Sequence, residues 1–184
     1  MGGVGNRLGL AAGLAVLALF AAGCGSDEEE SAAASWAGDV CSSVSTWTDA
    51  LTEASTTLRD TSSLSVDSFR DTVTGVVDAT ATLVDEVGDL GSPETDAGSE
   101  AQEEISRLSD ELQTEADVLR DAVDTDADSI SDLLGVISTI TSALSKMGTA
   151  VGAAFDNIAN LDGAEELESA FDSAESCQDI RSSG

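Results

Sequence analysis

The stretch WAGDVCSSVSTWTDALTEASTTL, residues 36–58, decides the fold class. Trp36, Val40, Val44, Trp47, Leu51, Ala54 and Leu58 recur at intervals of three and four. A helix gathers such residues on one face over about six turns. The same spacing continues along the chain. Phe69, Val73, Val76, Leu83, Val87 and Leu90 form a second stripe, widened by Val77 and Val84 and interrupted by Thr80. A third runs through Ala101, Ile105, Leu108, Leu112, Ala116, Leu119 and Val123, with Glu103, Glu104, Asp110, Glu111 and Asp117 read as its solvated face. The fourth contains Ile130, Leu133, Ile137, Ile140, Leu144, Met147, Val151, Ala154, Ile158 and Leu161. A short fifth piece, 164–173, carries Leu167 and Phe171 and reads as a helical lid.

Four long amphipathic helices with short links predict an all-α protein, an up-down-up-down four-helix bundle with a short C-terminal helix. The links fall near 60–64, 91–93 and 124–129. In the segment GSP, 91–93, Gly91 suits a helix end, Ser92 a cap and Pro93 a first helical position. Glu94 and Asp96 would then face the positive end of the helix dipole. Trp36 and Trp47 lie eleven residues apart, on roughly one side of a helix, and read as packing anchors of a core otherwise poor in aromatics. Residues 133–155 contain one charge, Lys146, but their Ser- and Thr-lined face and that mid-segment lysine argue against a membrane span. Gly148 and Gly152, a GxxxG spacing, read as a point of close helix approach.

The chain has 184 residues, with 7 basic and 36 acidic side chains, no histidine and no tyrosine, and a formal net charge of -29. Such a surface repels nucleic acid and anionic lipid headgroups, and attracts cations and basic partners. The 41% hydrophobic content, patterned as above, argues for a folded chain rather than an acidic disordered one. Without His or Tyr the usual general acid–base groups are missing, and no nucleophile elbow or phosphate-cradling glycine loop is present. An enzyme is not expected.

The N-terminal 23 residues hold one charge, Arg7, before a 13-residue apolar run, LGLAAGLAVLALF (8–20). That length suits an export signal and is short for a span. Ala21, Ala22 and Gly23 then precede Cys24. This resembles the lipobox of bacterial lipoproteins, although Ala21 stands where that signal usually has Leu. The resemblance implies cleavage before Cys24 and a covalent diacylglycerol on its sulfur. The rival readings are plain secretion after Gly23 and an uncleaved anchor. The expected organisation is a signal peptide over 1–23, a lipidated flexible tether over 24–35 and the helical domain over 36–180.

Two cysteines remain, Cys41 and Cys177, near the two ends of the helical region. Export favours a disulfide between them. An up-down-up-down order brings both to one end of the bundle. The rival is a pair of buried free thiols. Metal ligation by two thiols without an imidazole is poor. The segment DTDADSISD, 124–132, begins like a calcium loop, with Asp124, Asp126 and Asp128 at ligand positions one, three and five. Ser129 then replaces the turn glycine and Gly135 the bidentate Glu. The simpler reading is a polar link in which Asp128 or Ser129 caps the fourth helix, with weak cation binding by clustered carboxylates.

The lipobox-like AAGC (21–24), the N-terminal WAGDVCSSVSTW (36–47) and the ending ELESAFDSAESCQDI (166–180) together frame nearly the whole mature chain. In these the chain resembles small, uncharacterised helical lipoproteins and secreted proteins of high-GC Gram-positive bacteria. The resemblance implies a cell-envelope location and a disulfide-closed helical domain, and no known activity. The expectation is an extracytoplasmic lipoprotein, held on the membrane by its lipid, with a binding or structural role and an envelope protein or basic molecule as partner. It needs no cofactor beyond the diacylglycerol. The alternative is a module that binds a solute or divalent cation through the acidic inter-helix segment.

Overall fold

A computed structural model describes residues 31–60, 64–124 and 130–178, with the backbone alone described for 130–135. Five helices follow one another, α1 (Ala32–Arg59), α2 (Val66–Asp89), α3 (Gly98–Val123), α4 (Ile130–Ala159) and α5 (Glu165–Ser173), with one further turn at 175–178. The described residues contain no strand. The expected all-helical class is correct, and among the described residues each apolar stripe supplies the buried face of one helix.

Consecutive helices pack on one another, and α5 packs on both α1 and α4. Polar contacts give the directions. The Trp36 indole N–H donates to the Gly91 carbonyl at 2.9 Å, and that of Trp47 to the Thr80 hydroxyl at 3.1 Å. Ascending α1 thus meets descending α2. Lys146 Nζ donates to Glu115 Oε1 at 3.0 Å, and Asn157 Nδ2 to Glu104 Oε2 at 3.2 Å, so α3 and α4 are likewise antiparallel. Glu104 also accepts from the Arg107 guanidinium. The carboxylate expected on a solvated face is therefore buried, because Arg107 and Asn157 satisfy it across the α3–α4 seam. Lys146, the charge that argues against a span, pairs between helices. Among the described residues no helix is long and apolar enough to cross a membrane.

Three expectations are corrected. The helix begins before the expected tether ends: the Ser31 hydroxyl accepts the Ala34 N–H at 3.1 Å, and Ala33 and Ala34 join the core. An oxygen-bearing cap followed by small apolar residues is a helix start, which the low complexity of SAAAS conceals. In the second link, Gly91 does end α2, with φ of 66°. Ser92 does not cap α3, and Glu94 and Asp96 lie outside its first turn, which carries Glu100. Residues 92–97 form turns in which the Pro93 carbonyl accepts from Thr95 N and the Thr95 carbonyl from Gly98 N. Finally, the fourth stripe turns slightly, so that Ala143 is buried and Leu144 packs at its edge.

The turn ahead of α3 depends on Gly98. A Cβ there would stand 2.0 Å from the Pro93 carbonyl oxygen, a backbone atom that cannot swing aside. Alanine elsewhere in a helix gains up to about 1 kcal/mol over glycine. Here the overlap decides the sign, and Gly98→Ala is expected to lower stability by about 1–3 kcal/mol. Gly75, mid-α2, has open space where its Cβ would go, so Gly75→Ala is expected to raise stability. Urea midpoints of the two variants should move in opposite directions. Movement of both upward would show that the 92–97 turn relaxes.

Candidate functional site

The chain leaves α4 at Ala159 and turns at Gly163, whose φ is 79°. It then enters α5 with Glu165, Glu166 and Glu168 in the first turn, where the helix dipole favours acids. Leu167, Ala170 and Phe171 form the buried face of α5. Ala174 is extended and ends the helix. The following turn is pinned to α1: the Ser176 hydroxyl donates to the Gly38 carbonyl at 2.8 Å. Cys177 is thereby held against Cys41. The two form the expected disulfide, with Cα atoms 5.1 Å apart and a sequence separation of 136, and both are buried.

Phe171 is the hinge point of this junction. Its ring meets Trp36 of α1 edge-on, with centroids 5.9 Å apart, and Phe155 of α4 in the same manner at 5.4 Å. Each such pair adds about 0.5–1.5 kcal/mol beyond its burial. The fifth helix is thus a wedge joining α1 to α4, more than a lid laid over them.

Beside the wedge lies an open surface recess of about 440 Å³. Phe155, Phe171, Ala159 and the Cys41–Cys177 bridge form its apolar walls, and Asp156, Glu168 and Asp172 stand around it. Gly152 forms one side. Its position, like that of Gly148, has nothing within 4 Å of where a Cβ would be. The close helix approach expected from the GxxxG spacing is therefore not found. The second glycine opens a recess. Depressions of similar size lie between α1 and α2 at Glu53, Thr57 and Asp71, and between α3 and α4 at Glu115 and Lys146.

The sequence-predicted residues are placed as follows. Trp36 and Trp47 are buried, and Trp36 also backs the aromatic junction. Asp124 ends α3, its backbone N–H donating to the Arg120 carbonyl. Asp126 and Asp128 lie outside the described residues, as do Cys24 and the tether to residue 30. Among the described residues no three acidic or sulfur ligands gather as a metal centre. Sequence reasoning missed Phe155 and Gly152 as site residues. Phe155 falls one position off the apolar stripe and Gly152 lies three residues before it on an exposed side, so neither stands out until α5 is placed.

Comparison of the chain with protein-family models, with curated proteins and with solved structures finds no match in any of the three. Function must therefore be argued from the residues themselves.

Proposed function

We propose that the chain is a lipid-anchored binding domain of the bacterial cell envelope, displayed on the outer face of the cytoplasmic membrane and akin to the small helical lipoproteins it resembles. In this reading the four long helices alternate as an up-down-up-down bundle, with α5 wedged between the first and the last. The antiparallel contacts of α1 with α2 and of α3 with α4, and the short α2–α3 link, support that topology. The observation that carries the location is the buried Cys41–Cys177 disulfide. A closed disulfide suits an oxidising compartment, and it leaves Cys24 as the third, unpaired cysteine behind an export-like segment. A signal cleaved before Cys24 and a diacylglycerol on its sulfur account for both. The absence of His and Tyr from the chain supports binding over catalysis. The strongly negative charge favours a basic partner in the envelope.

Intact mass of protein extracted from membranes tests this. The expected species starts at Cys24 and carries the glyceride and its acyl chains. A mature mass without acyl chains overturns the anchor. Cys24→Ser is expected to leave the uncleaved chain in the membrane. Alkylation without reduction should add no label to Cys41 or Cys177.

A further inference from the structure

We propose that Asp162, in the turn between α4 and α5, is a site of spontaneous isomerisation to isoaspartate. The chain has 36 acidic side chains, and Asp162 alone among them is followed by glycine; no asparagine is. An aspartate isomerises when the next residue's backbone nitrogen attacks its side-chain carboxyl, and a Cβ on that next residue crowds the approach. Gly163 has none. Inside a helix the attacking N–H is committed to a carbonyl four residues back, and the backbone is fixed. Most of the other described aspartates lie inside helices. Asp162 and Gly163 do not, and both are exposed. The Ala164 N–H donates to the Leu161 carbonyl at 3.2 Å, which sets these two residues at the tip of the turn. Among the described residues no hydrogen bond holds the Asp162 carboxylate or the Gly163 N–H. Rotation of this peptide therefore breaks few contacts.

The reaction balances without an oxidant or reductant. The Gly163 nitrogen bonds to the Asp162 side-chain carboxyl carbon. Its proton and the carboxyl hydroxyl leave as one water, and a five-membered succinimide closes. Water then adds to one of the two ring carbonyls. Opening of the new bond restores aspartate. Opening of the original peptide bond routes the main chain through the Asp162 side chain, and the former main-chain carbonyl becomes the free carboxylate. Mass and formal charge are unchanged, and the backbone gains one methylene between α4 and α5. There is little room for it on one side: a Cβ at Gly163 would lie 3.4 Å from the Asp96 Cβ of the 92–97 turns. The far end of the C-terminal segment is tied to α1 by the disulfide and the Ser176–Gly38 hydrogen bond. The added length is thus taken up at the start of α5, with Cys177 kept in place. None of this requires the lipid anchor.

The experiment ages the folded full chain, disulfide intact, in warm neutral buffer made with ¹⁸O-labelled water. A parallel sample is aged in denaturant. A protease that cuts before aspartate but not before isoaspartate reports conversion, and electron-transfer fragmentation assigns it to a residue. The expected result is ¹⁸O uptake and lost cleavage at residue 162 in the folded sample, exceeding conversion at any other aspartate by about tenfold or more. Asp162→Glu, an exposed and conservative change, is expected to remove the isomerised product from the turn. Hydrogen exchange of the aged protein should quicken at the first turn of α5 and stay unchanged at Cys41. Conversion confined to the denatured sample, equal conversion at aspartates within helices, or isoaspartate formed without ¹⁸O uptake would each overturn the proposal.

Discussion

Replacing both Cys41 and Cys177 with alanine is expected to lower the unfolding free energy by about 2–5 kcal/mol. Loop entropy accounts for the upper end. Closing a loop of sequence separation 136 restricts the unfolded chain by about 5 kcal/mol in the chain-entropy description. Packing alone would suggest a smaller loss, since two small side chains are exchanged for two others. The size of the effect thus separates the two sources. For a domain of this length the melting temperature should fall by roughly 5–15 °C. The urea m-value should rise, because the opened chain exposes more surface on unfolding. Reduced wild type and the double variant should behave alike. A loss below about 1 kcal/mol would place the stability in the helix seams and leave the bridge little part in it. Reduction of the native protein should itself be slow, as both sulfur-bearing residues are buried and the attacking thiol must wait for local opening.

The second large effect is expected at Trp47. Its residue is 3% exposed and its indole N–H donates to Thr80, which is 1% exposed. The Thr80 hydroxyl in turn donates to the Val76 carbonyl at 2.8 Å, so the chain of donors is complete inside the core. Trp47→Ala removes most of a large side chain and is expected to cost about 3–5 kcal/mol. Thr80→Val keeps the shape but orphans a buried N–H, at about 1–3 kcal/mol. Once Trp47→Phe has removed the donor, adding Thr80→Val should cost much less than in the wild type, a coupling of about 1 kcal/mol or more. Strict additivity of Trp47→Phe and Thr80→Val in denaturant unfolding would mean that the hydrogen bond contributes nothing net.

Thr80 also shows where the sequence was legible and where it was not. The 3.6-residue rhythm located every long helix, because burial of one face is a local pattern that survives without knowledge of neighbours. Thr80 looked like a break in that rhythm. It is the polar partner of a tryptophan 33 positions earlier, and such pairings are set by the register between helices. Glu104 was misread for the same reason: its partner Asn157 comes from another helix. Pro93 and Gly91 announced a break, but the 92–97 turns rest on a backbone contact at Gly98 that no residue pattern encodes. The cysteine pairing could be foreseen from helix count, since an even number of antiparallel helices returns the chain to its starting end. The recess could not, since it requires a glycine, an off-stripe phenylalanine and the wedge of α5 to be placed together.

The Cys41–Cys177 bridge has a mechanical consequence. A pull applied between the start of α1 and the turn at 175–178 runs down the first turns of α1 and crosses from one sulfur to the other. The segments between the cysteines, which include most of α1 and all of α2, α3, α4 and α5, are bypassed by the load. Under tension the bridged segment should therefore not lengthen, and should behave as a short inextensible link for as long as the covalent bond is intact.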